Sequence, residues 1–193
     1  MILLFHNVGS IEHHCWVVKK RLIEICEKLK PDEVHFDDAN INAFDTILAL
    51  RALGVKIKVF VPVAFMGTWF YSNGYFPIQV MNIRALNLLR NKGVIIGSHS
   101  VTHRDMCKLI LPVAHSEFLE SKRFLEAYFG SVTEFAFPLI VPRKKEIIEL
   151  GNQVYGVCYG LDQKVSGLVQ RFPVSSTHVR INVEEVLIED LST

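Results

Sequence analysis

Short apolar runs alternate along this chain with segments that have the spacing of amphipathic helices, and this alternation restricts its fold most. The sequence predicts strands at residues 2–8, 33–38, 55–63, 94–98, 134–137, 155–159 and 168–174. It predicts helices at residues 14–29, 42–53, 81–91, 116–129 and 143–150. Strand–helix alternation of this kind is typical of an α/β fold with a parallel sheet and crossover helices. Two architectures fit, a closed or incomplete β/α barrel and an open doubly wound sheet, and both place sites at the carboxyl ends of strands.

Length and composition limit the class of protein. The 193 residues suit a single domain over 1–193, and a hydrophobic share of 50% is enough for a substantial core. The 21 basic and 20 acidic residues nearly cancel, which gives no electrostatic reason to expect a nucleic-acid partner. No apolar stretch approaches the ~18 residues of a membrane span. The apolar start is too short for a signal peptide, so we expect a cytoplasmic protein.

Two groups of side chains stand near the ends of predicted strands. His99 and His103 are four residues apart, a spacing at which two imidazoles on a helical turn can face one metal ion. Asp37 and Asp38 end an earlier strand and can supply one ligand and one general base. Two histidines and one carboxylate leave coordination positions open, which is typical of a catalytic metal site.

Neither pattern is specific alone. The same residues also fit a blander arrangement, in which Asp38 caps the helix that follows its strand and His99 is an ordinary buried histidine. The order and context of further motifs distinguish the two interpretations.

Five segments, in order, carry a likeness to a known family. Residues 35–39 (HFDDA) resemble T-F-D-D-G, and residues 93–103 (GVIIGSHSVTH) resemble a G-x-x-I/V-G-x run followed by H-S/T-x-x-H. Residues 54–61 (GVKIKVFV) match the strand between those motifs, and residues 135–140 (FAFPLI) resemble F-A-Y-P-Y-G. The start at residues 5–8 (FHNV) resembles Y-H-x-V. Over residues 2–175 the sequence resembles the polysaccharide deacetylases, carbohydrate esterases that include the nodulation-type chitooligosaccharide deacetylases.

The resemblance implies an irregular or incomplete (β/α) barrel and a metal-dependent hydrolase that removes an acetyl group from an N- or O-acetylated sugar. It implies that Asp38, His99 and His103 hold a divalent metal, usually zinc, and that Asp37 is the general base. The metal would polarise the acetyl carbonyl and lower the pKa of its bound water, and Asp37 would accept that water's proton.

The third motif implies the remaining contacts to the acetyl group. The backbone N–H of Leu139 would stabilise the oxyanion, and Phe137 and Pro138 would shape the acetyl pocket. Aromatic residues in the predicted loop at 65–76, among them Trp69, suit stacking on sugar rings, although a lid or a subunit contact fits them equally well.

Beside Ala39 and His35, which replace the glycine and threonine of the first motif, the sequence departs from the family pattern in two places that bear on catalysis. Ala136 stands where some members have an arginine that braces the base, and Arg143 or Arg171 are the candidate replacements. The C-terminal L-x-H motif that supplies the general acid is absent, which leaves His6 and His178 as candidate acids. These departures favour one alternative function, a non-catalytic relative that binds a carbohydrate or a protein.

Overall fold

The structure is a computed structural model that describes residues 2–9, 16–71, 77–160, 177–179 and 181–182. Its strands are β1 (Ile2–Phe5), β2 (Asn7–Gly9), β3 (Trp16–Val18), β4 (Glu33–Phe36), β5 (Ile57–Val61), β6 (Trp69–Phe70), β7 (Ile78–Gln79), β8 (Ile95–Ser98), β9 (Glu134–Ala136), β10 (Val157–Gly160), β11 (Thr177–Val179) and β12 (Ile181–Asn182). Its helices are α1 (Lys19–Leu29), α2 (Phe44–Ala52), α3 (Ile83–Asn91), α4 (Leu111–Phe129) and α5 (Lys145–Tyr155). The chain forms two compact units; the first takes its described residues from 1–60, 65–96 and 181–193, and the second from 61–64 and 97–180.

The first unit is built on parallel strands in the order β12-β1-β4-β5. All five residues of β5 are buried, as expected for a parallel strand that is covered on both faces. Helix α1 turns Leu22 and Cys26 inward. Helix α3 is capped by Asn82, whose side chain accepts a hydrogen bond from the Ala85 N–H at 2.9 Å. A two-stranded antiparallel hairpin, β6–β7, follows β5 in the chain.

The second unit contains parallel strands in the order β8-β9-β10-β11. Helices α4 and α5 bury a common core in which Phe118 meets Phe135 edge-on, with ring centroids 4.8 Å apart. The Tyr155 hydroxyl lies 2.7 Å from the Ser121 hydroxyl and donates to the Phe118 carbonyl at 3.0 Å. A buried hydroxyl therefore has partners on the neighbouring helix, as the low local polarity requires.

Most predicted elements exist. The differences lie at their ends and in the predicted loop at 65–76, whose described part contains the strand β6, paired with β7. The helix predicted over 14–29 begins only at Lys19, because Trp16–Val18 pairs in parallel with Asn7–Gly9. An aromatic residue followed by two β-branched residues favours a strand. The first predicted strand is correspondingly interrupted at His6.

Later boundaries shift for local reasons. Helix α4 starts at Leu111 rather than residue 116, and Pro112 occupies its first turn, where a missing N–H costs nothing. Helix α5 extends to Tyr155, so the next strand begins at Val157 rather than residue 155. The predicted strand at 168–174 lies outside the described residues, and the prediction of one domain over 1–193 stays a prediction. Among the described residues, no helix combines the length and apolar character that a membrane crossing requires.

Candidate metal centre

The two acidic residues after β4 are buried and leave the strand by an unusual turn. Asp37 is 2% exposed, Asp38 is 1% exposed, and the Asp37 N–H donates to the Phe5 carbonyl at 3.0 Å. Asp38 and Ala39 have φ angles of +61° and +48°, in the left-handed region that few non-glycine residues adopt. The helical turn that follows is capped by Asn40, whose side chain accepts from the Asn42 N–H at 3.1 Å. The alternative interpretation of Asp38 as a helix cap is therefore wrong.

His99 follows β8 and is held from two sides. Its backbone N–H donates to the Val61 carbonyl at 2.9 Å, and the side chain is 1% exposed. Its Nδ1 lies 2.9 Å from the Ala136 carbonyl oxygen. A carbonyl oxygen only accepts, so Nδ1 carries a proton, and Nε2 is the ring nitrogen left to act as a ligand. This tautomer is the one that a metal ligand bonded through Nε2 needs.

The segment from Ser100 to His103 is a bend rather than the helical turn that the spacing suggested. Ser100 and His103 have φ angles of +67° and +56°. The His103 N–H donates to the Ser100 hydroxyl at 2.9 Å, which closes the bend locally. The imidazole rings of His99 and His103 meet nearly edge-on, with centroids 4.8 Å apart. The bend brings the rings together by a route that the i, i+4 spacing did not predict.

Asp38, His99 and His103 form a cluster with the character of a metal site. Each side chain offers one ligand atom, and the three atoms lie within 4.8 Å of one another. Two imidazole nitrogens and one carboxylate oxygen suit a divalent metal of the zinc type and leave further coordination positions for water or substrate. The residues present therefore fit a divalent metal ion.

Comparisons with known proteins connect this geometry to a fold. No family model matches the sequence, and no curated protein is similar to it in sequence. Solved structures do match. The deacetylase PplD from Streptococcus pyogenes, solved in complex with acetate, has a TM-score of 0.73 at 14% identity, over 100% of this chain and 97% of its own. IcaB from Ammonifex degensii has a TM-score of 0.74 at 13% identity, over 94% and 90%.

A third solved structure that matches is described as a polysaccharide deacetylase. BC0361, a polysaccharide deacetylase from Bacillus cereus, has a TM-score of 0.70 at 14% identity, over 94% of this chain and 64% of its own. This chain has the polysaccharide deacetylase fold. The predicted incomplete (β/α) barrel of that type is thereby confirmed.

In this polysaccharide deacetylase fold the third motif begins in β9 and contains a residue with left-handed backbone, Leu139. The Phe137 N–H donates to the Tyr159 carbonyl at 2.9 Å, and the ring centroids of Phe137 and Phe135 are 5.2 Å apart. Pro138 is buried, and Leu139 is half-buried with a φ of +63°. Left-handed backbone at a non-glycine residue is enriched at functional sites, which is compatible with a role for the Leu139 backbone.

The candidate acid His6 and the acidic pair occupy matching places on neighbouring strands. Phe5 of β1 pairs with Phe36 of β4, so His6 and Asp37 each follow a paired residue at the carboxyl ends of the strands. His6 is half-buried. The other candidate acid, His178, lies in β11, and its side chain is outside the described part of the structure.

The hairpin that carries Trp69 is connected to the turn after Asp38. Trp69 pairs with Gln79 and is 61% exposed. One residue further, Val80 forms an antiparallel bridge with Asn40, immediately beyond that turn. The hairpin thus presents an exposed indole on an element that is bridged to the acidic turn. Two other aromatic residues of the predicted loop, Tyr75 and Phe76, lie outside the described residues.

The cluster of charged residues around Glu33 was not anticipated from the sequence. Arg143, a suggested brace for Asp37, is exposed, and Arg171 lies outside the described residues. A buried lysine occurs instead on β5: Lys58 is 2% exposed, and its Nζ lies 3.0 Å from a carboxylate oxygen of Glu33. His35 donates to the same carboxylate at 2.9 Å, and Lys56 also bonds to it.

Glu117 was also not anticipated from the sequence. It lies on the buried face of α4 between Ala114 and Ser121 and is 6% exposed. Its carboxylate accepts hydrogen bonds from the bend that carries His103. A carboxylate on the buried face of a helix is uncommon, and that position within the apolar spacing was the signal available in the sequence.

Proposed function

We propose that this protein is a metal-dependent hydrolase that removes an acetyl group from an N- or O-acetylated sugar, saccharide or polysaccharide intermediate. The observation that carries the proposal is the Asp38, His99 and His103 cluster within a polysaccharide deacetylase fold. Acetate is the product of such a reaction, and the similar S. pyogenes deacetylase was solved with acetate bound. A cytoplasmic location stays a prediction.

Asp38, His99 and His103 are the proposed ligands of a divalent metal, which we take to be zinc. When bound, such an ion supplies Lewis acidity that makes the poorly electrophilic acetyl carbonyl reactive. The hydrogen bond from His99 Nδ1 to the Ala136 carbonyl fixes the ring orientation and raises the basicity of Nε2. Burial of Asp38 and His99 excludes bulk water, which strengthens electrostatic interactions in the site.

Asp37 is the proposed general base. It is adjacent in the chain to the ligand Asp38, it is buried, and its N–H bond to the Phe5 carbonyl fixes its backbone. A carboxylate that is not itself a ligand can accept a proton from the attacking water. His6, at the corresponding end of β1, is the proposed acid that protonates the leaving amine or alcohol.

The backbone N–H of Leu139 is the proposed donor to the oxyanion, and Phe137 and Pro138 are the proposed walls of the acetyl pocket. The left-handed backbone at Leu139 supports this role, because strained residues of this kind persist where their geometry is used. Trp69 is the proposed sugar-stacking residue, because it is 61% exposed and lies on a hairpin.

The test joins metal analysis to catalysis. Bound zinc is measured in the native protein and in His103→Ala, and acetate release is measured on a panel of N- and O-acetylated sugars. We expect about one zinc per native chain, a loss in His103→Ala, and acetate release that falls by roughly 10²–10⁴-fold in Asp37→Asn with zinc retained. Absence of metal from the native protein would refute the metal-dependent reaction.

A second function is favoured by the residue at position 136. Ala136 offers a carbonyl to His99 but no charged side chain, and the described residues place Arg143 at an exposed position. A relative that retains the metal cluster and binds an acetylated sugar without cleaving it fits these features. Zinc binding and sugar binding without acetate release from any sugar in the panel would select this alternative.

A further inference from the structure

We infer that Glu117 is a positioning residue, which holds the bend between His99 and His103 in the shape that lets both imidazoles reach one metal ion. The inference rests on the proposed metal site and adds a residue from a different element of the chain. Glu117 belongs to α4, and its side chain is 6% exposed.

The Glu117 carboxylate binds the middle of the bend at three points. One oxygen accepts the Val101 N–H at 2.8 Å and the Thr102 N–H at 3.0 Å. The other oxygen accepts a hydrogen bond from the Thr102 hydroxyl. A carboxylate can accept from several donors at once, and hydrogen bonds to a charged acceptor are stronger than neutral ones. Consecutive backbone donors are thereby fixed by a single side chain.

The bend needs such support because its own backbone is strained. Ser100 and His103, at its two ends, both have positive φ, which L-residues other than glycine rarely adopt. Conformations of this kind persist only where surrounding contacts hold them. Backbone hydrogen bonds also hold the bend, since the Val63 and Ala64 N–H groups donate to the Ser100 and Val101 carbonyls at 3.1 and 3.0 Å.

His103 lies at the end of the bend that Glu117 holds, whereas His99 precedes the bend. His99 is fixed by its own bonds to the Val61 and Ala136 carbonyls. The His103 N–H donates to the Ser100 hydroxyl within the bend. Loss of the Glu117 bonds therefore removes support from the segment that carries the second imidazole.

The chain contains a matched control on the same helix. Glu126 also accepts a backbone N–H, that of Val132, at 3.2 Å, and it pairs with Lys122 at 3.0 Å. It has no part in the bend. Glu117→Ala and Glu126→Ala each remove a glutamate of α4 whose carboxylate accepts a backbone N–H. Only Glu117→Ala removes support from the bend that carries His103.

The test measures metal affinity and ligand geometry rather than activity. Zinc affinity is determined by competition with a chelating dye, and the cobalt-substituted protein is examined by its visible absorption spectrum, well below each variant's melting temperature. We expect Glu117→Ala to weaken zinc binding by about 10–100-fold and to change the cobalt spectrum. Glu126→Ala should keep affinity within about 2-fold of the native value, with an unchanged spectrum. Glu117→Gln, which keeps an acceptor oxygen for the N–H groups, should recover most of the loss.

The outcomes separate the inference from the proposed function. A native protein without zinc refutes the proposed metal site itself. Zinc binding that is equally tight in Glu117→Ala and Glu126→Ala, with identical cobalt spectra, overturns the role of Glu117 and leaves the proposed function standing. Where Glu117→Ala does not fold, Thr102→Val decides, because it removes only the hydroxyl contact; an unchanged affinity and spectrum in that variant also overturn the inference.

Discussion

At the scale of single residues, the site depends on backbone conformations that side chains normally disfavour. Six described residues other than glycine have positive φ; one is Lys30, just after the end of α1, and the others are Asp38, Ala39, Ser100, His103 and Leu139. The last five bear on the proposed site. Each costs roughly 1–2 kcal/mol relative to ordinary backbone. They cluster in the proposed ligands, the residues next to them and the proposed oxyanion donor, which is the distribution expected when strain orients functional groups.

Ala39 allows this strain to be tested without removing a functional group. It has a φ of +48°, is fully buried, and stands where the resembled motif has glycine. We expect Ala39→Gly to change the free energy of unfolding by less than about 1 kcal/mol, since the relief of strain offsets the lost methyl group. Ala39→Val should cost about 2 kcal/mol or more, because a β-branched side chain there is both strained and overpacked. Urea unfolding measures both, and a valine variant as stable as the glycine one would contradict the argument.

At the scale of elements, neighbouring strands β4 and β5 share a charged cluster beneath the acidic pair. The pairing of His35 with Lys58 in the register of these strands places both beside Glu33. Burial of Glu33 opposes its ionisation, but the hydrogen bonds from Lys56, His35 and Lys58 prevail and lower its pKa from 4.5 to about 2. The ionised carboxylate is therefore a stabilising partner for a lysine that is almost fully buried.

This cluster predicts a definite pH dependence of stability. Because the folded-state pKa of Glu33 is lowered, its contribution is complete above about pH 4.5 and is lost as the pH falls toward 2. We expect Glu33→Gln to be destabilised by on the order of 2 kcal/mol at pH 7, with a smaller gap from the native protein at pH 3. Denaturant unfolding at several pH values gives the comparison. Glu149→Gln is the control, since the Lys145–Glu149 pair is exposed and contributes little; a gap for Glu33→Gln that does not change with pH would refute the account.

At the scale of the whole molecule, the proposed ligands come from chain segments that are far apart in the sequence. Asp38 follows β4, and the two histidines follow β8. A metal that binds all three binds the folded chain and not the unfolded one, so its binding free energy adds to the stability of the fold.

Metal binding should therefore raise the melting temperature. With free zinc at about 100 times its dissociation constant, the gain is about 2.7 kcal/mol. For a chain of this size that corresponds to a rise of roughly 5–10 °C in calorimetry relative to the chelator-treated protein. His103→Ala should lose most of the rise. An equal rise in His103→Ala would show that the added zinc stabilises the protein at another site.

The sequence by itself determined the parallel α/β class, most of its helices and strands and the residues of the candidate metal cluster, because these follow from apolar periodicity and from short motifs. Tertiary structure decided how the cluster is held. The bend between Ser100 and His103, the tautomer that Ala136 imposes on His99, and the support from Glu117 all depend on hydrogen bonds between residues distant in the chain. The local sequence pattern does not specify which distant carbonyl or carboxylate a residue contacts after folding. These contacts are therefore set only by the packing of the elements.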